Sequence, residues 1–181
     1  MISLEEGTKL LVLCRKTLVY YLKTRKILEC DCDITEKNKP VLLDVCLWDG
    51  KEIRGQATTH QKAPLWPTLQ ELVIQAATGD PKQLPLQSGE LSRITLTIAI
   101  FIHFKKLSKP ELTRIGTQQG LCITFKNNRG VLWPKEVEAL RHDERKVFEL
   151  LCQKAILPPH SYLNPQALLE SFEVIQFSEK T

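Results

Sequence analysis

The sequence predicts an α+β fold with mostly antiparallel sheet. Three observations carry that prediction. Apolar residues at helical spacing open the chain, two hairpin turn signals punctuate it, and strands and helices do not follow the strict strand–helix–strand order of parallel folds. A chain of 181 residues suits a single domain over 1–181, with room for two lobes and a sizeable core.

The elements follow in order. Residues 3–23 read as a helix: Ser3 and Glu6 form an S-x-x-E capping box, and Leu11, Cys14, Leu18 and Leu22 share a face. Lys23, Arg25 and Lys26 give its far end a basic charge that complements the helix dipole. Residues 27–40 form a charged loop closed by Pro40. "VLLDVCLW" reads as a largely buried strand. Asp49-Gly50 predicts a type I′ turn, and "KEIRGQ" returns as the second hairpin strand. Gly55 near its end marks a bulge or a close approach to the backbone. A helix over 68–78 starts at Pro67-Thr68, buries Leu69, Leu72, Val73 and Ala76, and stops at Gly79 and Pro81. "ITLTIAIFIHF" is the clearest strand, with Thr95, Thr97, Ala99, Phe101 and His103 on a semi-polar face suited to lining a cleft. "GLCITFKNNRGVLWP" predicts a hairpin turning at "NNRG", and Pro134 opens a short helix. Asp143 caps a helix to about Ala155, Asn164-Pro165 starts one more, and "SFEVIQF" closes the chain as a strand.

Bulk chemistry excludes several functions. Lys and Arg number 25 against 21 Asp and Glu, a net charge of +4, too mild for a dedicated nucleic-acid binder. No apolar run reaches the ~20 residues of a membrane span. "MISLEEGTK" lacks the pattern of a secretion signal, which predicts a cytoplasmic protein whose six cysteines are reduced. Cys30 and Cys32 form a C-x-C pair, but His60, His103, His142 and His160 are scattered singly, so no metal and no cofactor is expected. The chain has no G-x-S-x-G elbow, phosphate loop, G-x-G-x-x-G or H-E-x-x-H. Glu5 with Glu6, and Asp31 with Asp33, read as surface charges.

The pieces resemble, in order, the AMMECR domain family. "LEEGTKLLVLCRKTLVYYL" and "EIRGQA", similar to the family's L-R-G-C-I-G signature, come first. "GDPKQLPLQSGEL", "GTQQGLCI", "RGVLWPKEV", "CQKAILPP" and "FEVIQFSE" follow. The resemblance implies two unequal lobes of mostly antiparallel sheet flanked by helices, with a cleft between them. It also implies an association with Memo-type and radical SAM proteins. Departures fall on the signature. Gln56 stands at its cysteine and Thr58 at its closing glycine. Lys82 and Gln83 replace an arginine and a phenylalanine after Asp80-Pro81, and Thr97 stands where an acidic residue is expected. A thiol attacks or ligates, whereas a carboxamide only donates and accepts hydrogen bonds.

The cleft candidates are therefore Arg54, Gly55, Gln56, Asp80, Lys82 and His60, with Trp66 beside them. Arg54 and Asp80 are expected as an ion pair or as an anion site. Trp66, between Pro64 and Pro67, is the tryptophan expected to be exposed and to anchor a partner. Three functions are weighed. The first is a non-catalytic protein-binding or scaffold module with a degenerate cleft and no catalytic residue, its partner another protein. The second is an enzyme or accessory subunit holding an anionic small molecule on Arg54, with Asp80 or His60 moving protons. The third is weak nucleic-acid binding through Lys23, Arg25, Lys26, Lys105, Lys106 and Lys109, which lacks stacking aromatics. The first follows most directly from Gln56.

Overall fold

The computed structural model describes residues 2–30, 32–35, 37–59, 61–81, 83–108, 115–116 and 118–179; His60, Lys82 and Lys109 lie outside them. The fold is α+β with antiparallel pairing, and it divides into two compact units, 1–100 with 175–181, and 101–174.

In the first unit, helix α1 (Leu4–Thr24) begins at the Ser3–Glu6 capping box and ends on Arg25 in the left-handed region. The predicted face is buried, extended by Leu10 and Thr17. Strand β1 (Pro40–Asp49) pairs with β2 (Glu52–Thr58). The turn between them differs from the prediction. Asp49 pairs with Glu52, so the two-residue loop is Gly50-Lys51, and only Gly50 has positive φ (60°). That is what a type II′ turn asks of its central residues, not a type I′. Strand β3 (Ala63–Pro64) pairs with the start of β1. Helix α2 (Leu65–Thr78) starts three residues earlier than predicted. Pro67 is tolerated in the first turn, and the Leu65 and Trp66 N–H groups donate to the Lys39 and Lys37 carbonyls. β2 is the terminal strand of the order β2-β1-β4-β7, where β4 is Ile94–Lys106 and β7 is Leu168–Ser178. Both β4 and β7 run through the two units. On the expected cleft-lining face of β4, Thr97, Ala99 and Phe101 are buried, while Thr95 is half-buried and His103 is exposed. Thr97 Oγ1 lies 2.7 Å from Ser178 Oγ, so its hydroxyl ties the two strands.

The second unit builds β5 (Gly120–Phe125) and β6 (Asn128–Leu132) beside β7. Their turn falls at Lys126-Asn127, because Phe125 pairs with Asn128; the "NNRG" placement was two residues late. Helices α3 (Pro134–Ala139) and α4 (Glu144–Lys154, capped by Asp143) cover one face of this sheet, burying Val137, Val147, Phe148 and Leu151 against Leu121, Ile123 and Leu132. No helix starts at Asn164-Pro165. Asn164 Oδ1 accepts from the Gln166 N–H in a local turn, and β7 begins at Leu168.

Gly55 is fixed by packing. A Cβ there would lie 2.0 Å from the Ala76 carbonyl oxygen, so the close approach that its position signalled is the backbone of α2. Gly55→Ala should destabilise the protein by about 2–4 kcal/mol in urea unfolding, as overpacking against backbone does. Gly89→Ala, where a Cβ meets nothing within 4 Å, should change stability by less than about 0.5 kcal/mol.

Candidate functional site

The site is assembled from a bulge, a loop and one buried carboxyl, all within the first unit. Along the β1–β2 ladder, Leu47 pairs with Gly55 but Trp48 pairs with Ile53. Arg54 is the extra residue. Such a bulge re-aims its side chain. The guanidinium forms a fork on Glu90, with Nε 2.9 Å from Oε1 and Nη2 3.1 Å from Oε2, while Nη1 donates to the Leu84 carbonyl at 2.9 Å. The arginine is therefore held by Glu90, not by Asp80. Glu90 also accepts from the Gln87 N–H at 2.8 Å and from Arg93, which reaches Asp49 at 2.8 Å. The hydrogen bonds from Arg54, then that from Gln87, hold the Glu90 carboxyl below its ordinary range.

Gln56 is engaged at both ends. Its N–H donates to Asp80 Oδ2 at 3.0 Å, and its side-chain amide donates to Asp44 Oδ1 at 2.8 Å. The Thr58 hydroxyl donates to the same oxygen. Asp44 is only 4% exposed, and burial pushes its carboxyl up despite the two donors that favour the charged form. Directly across the ladder from Gln56 stands Cys46. Burial, then the carboxylates of Asp44 and Asp80, push its thiol up to about 12. A thiol so raised is protonated at neutral pH and a poor nucleophile.

The sequence missed Asp44, Cys46 and Glu90. A lone carboxylate in "VLLDVCLW" was the available signal for Asp44, because an unpaired charge is rare inside a buried strand. Cys46, two residues on, shares its face. Glu90, 36 residues from Arg54, carried no long-range cue.

The other candidates lie as follows. Trp66 is 4% exposed, correcting the expectation of an exposed anchor; its indole N–H donates to the Cys30 carbonyl at 3.3 Å. Gln70 donates to the Leu28 carbonyl and lies 3.8 Å from Cys30 Sγ, so α2 clamps the start of the charged loop, and Cys32 is fully buried. His103, in the second unit, has φ 52° and places Nδ1 2.9 Å from Glu173 Oε2. Two surface hollows, one bordered by Arg15, Thr95 and Glu179 and one by Leu140, Leu150 and Ile156, include none of Arg54, Gln56 and Asp80.

The sequence model of the AMMECR1 family matches residues 11–177. The chain belongs to the AMMECR1 family. Its AMMECR1 relatives include protein MJ0810 of Methanocaldococcus jannaschii, 29% identical over 99% of this chain and 92% of that one. Protein Ta0236 of Thermoplasma acidophilum is 26% identical over 99% and 90%. The crystal structure of the uncharacterized protein PH0010 from Pyrococcus horikoshii is similar in fold, with a TM-score of 0.84 at 24% identity over 99% of this chain and 94% of that one. No helix among the described residues is long and apolar enough to cross a membrane.

The raised carboxyl of Asp44 has a pH signature. A carboxyl raised on folding contributes stability below its unfolded pKa, near 3.9, and loses it as pH rises through the folded value. Asp44→Asn keeps an oxygen that accepts from Gln56 and Thr58. The variant should therefore gain stability relative to wild type as pH rises from about 4 to 7. Urea unfolding of both proteins at each pH checks this, since the difference isolates Asp44 from the opposite trend of Glu90.

Proposed function

We propose that this chain is a non-catalytic protein-binding module of the AMMECR1 family. One observation carries the reading: the Arg54 and Gln56 side chains are already bonded to neighbouring groups of the first unit. Arg54 is filled by Glu90 and the Leu84 carbonyl, and Gln56 by Asp44 and Asp80. Beside this locked network, two apolar side chains face water: Ile53 at 42% exposure and Leu84 at 82%. The Gln83 side-chain amide donates to the Ile53 carbonyl at 3.4 Å, which fastens the loop carrying Leu84 onto the hairpin. An exposed apolar pair on a loop held to the hairpin by hydrogen bonds suits recognition, because less ordering entropy is lost on binding.

The second reading is an enzyme or accessory subunit acting on an anionic small molecule alongside Memo-type or radical SAM proteins. It has the Cys46 thiol beside Gln56 in its favour, and the raised thiol and the filled arginine against it.

Ile53→Asp/Leu84→Asp should melt within about 2 °C of wild type, as surface changes do. The double variant should lose the proteins that wild type captures from its native host, read by quantitative mass spectrometry. Equal capture by both would remove the reading. Arg54→Ala should instead destabilise the fold by about 1–3 kcal/mol, because it removes the two-point fork on Glu90, which keeps only the Gln87 N–H and Arg93, and takes the guanidinium donor from the Leu84 carbonyl.

A further inference from the structure

β2 ends the strand order, so among the described residues one of its edges faces no other strand. In an antiparallel ladder closed by Asp49–Glu52, the next pair, Trp48–Ile53, is of the kind whose main-chain groups point away from each other. Beyond the bulge, Gln56 is in the same position, and its N–H points to Asp80 and not to β1. Edge groups of this kind are a ready template for another strand. Here they are met by side chains and carbonyls of the segment that follows α2. Two main-chain groups are met: Asp80 takes the Gln56 N–H and Gln83 the Ile53 carbonyl, while the Leu84 carbonyl and Glu90 take the Arg54 guanidinium. Leu86, fully buried, anchors the segment, and its N–H donates to the Ala77 carbonyl at 2.7 Å.

We propose that Asp80, Gln83 and Glu90 form a guard on the outer edge of β2, and that what it excludes is the same strand of a second copy of this chain. The strand's own sequence supplies the complementarity. With Ile53 laid antiparallel against the second copy's Ile53, Glu52 faces the second copy's Arg54, and the two-fold axis repeats the pair. Glu52 and Arg54 flank the exposed Ile53, one negative and one positive, and the bulge aims Arg54 away from β1 onto Glu90, the residue of the guard that a second copy's Glu52 would replace. Opposite charges directly across a ladder stabilise it, and like charges oppose it. In the guarded chain Glu90 holds the guanidinium that the second copy's Glu52 would meet. The guard thus blocks the edge twice, by occupying its main-chain groups and by neutralising its cation.

This inference stands apart from the partner reading, because its test contains no protein but this one. Sedimentation equilibrium compares wild type with Asp80→Ala/Gln83→Ala/Glu90→Ala in the full chain. Wild type should be monomeric, and the triple variant's dimer dissociation constant should fall by about 2- to 30-fold, the scale of two cross-strand charge pairs. Glu52→Arg added to the triple variant should restore the monomer. A folded triple variant as monomeric as wild type, a dimer indifferent to Glu52→Arg, or a wild type already paired through β2 overturns the proposal. If the triple variant does not fold, Glu90→Gln alone keeps the side-chain shape and removes the competing charge. It must lower the dissociation constant in the same direction, and an unchanged constant overturns the proposal.

Discussion

One extra residue in β2 turns Arg54 out of the ladder and onto Glu90, and the geometry of the site hangs on that insertion. Without the bulge, Arg54 would sit in register with β1 and the fork on Glu90 would have no anchor. With it, the guanidinium closes a path from the hairpin to the short turn at Ser88–Glu90, and through Leu84 to the loop between. Gly55 follows immediately because α2 presses its Ala76 carbonyl against that position, leaving no space for a side chain. The adjacent arginine and glycine thus answer two different demands: one residue is turned outward, and the next admits a helix backbone.

Local chemistry made much of the fold legible. The capping box at Ser3 and Glu6, the Asp143 cap, and the apolar faces of α1, α2 and α4 are properties of short segments, and short segments carry them in full. The hairpins were legible as hairpins but not in turn register. "DG" and "NNRG" name residues that permit a turn, while the pairing that selects which two residues form it depends on packing of both strands. Gly50 was read in the right place with the wrong partner, Lys51 replacing Asp49. Trp66 failed for a related reason. Flanking prolines suggest a chain that leaves the core, yet α2 begins at Leu65 and carries the indole inward onto the Cys30 carbonyl. The site was harder still. Arg54, Gln56 and Asp80 could be picked from a signature, but Glu90 and Asp44 meet them only through the bulge and the ladder, and those are tertiary facts.

The amide at position 56 makes sense beside Cys46. The two residues face each other at a position where the main-chain groups point outward, and in such pairs the Cα atoms come to about 4.5 Å, within the range that a disulfide spans. A thiol at 56 would leave two cysteines in contact across the ladder, with Asp44 deprived of one of its two donors. Burial already raises that carboxyl, and removing a donor to its charged form would raise it further. Glutamine settles both problems at once. Its side-chain amide reaches Asp44, and it offers Cys46 nothing to oxidise against. Gln56 is thus the residue whose side-chain hydrogen bond ties the Asp44 carboxyl to the neighbouring strand.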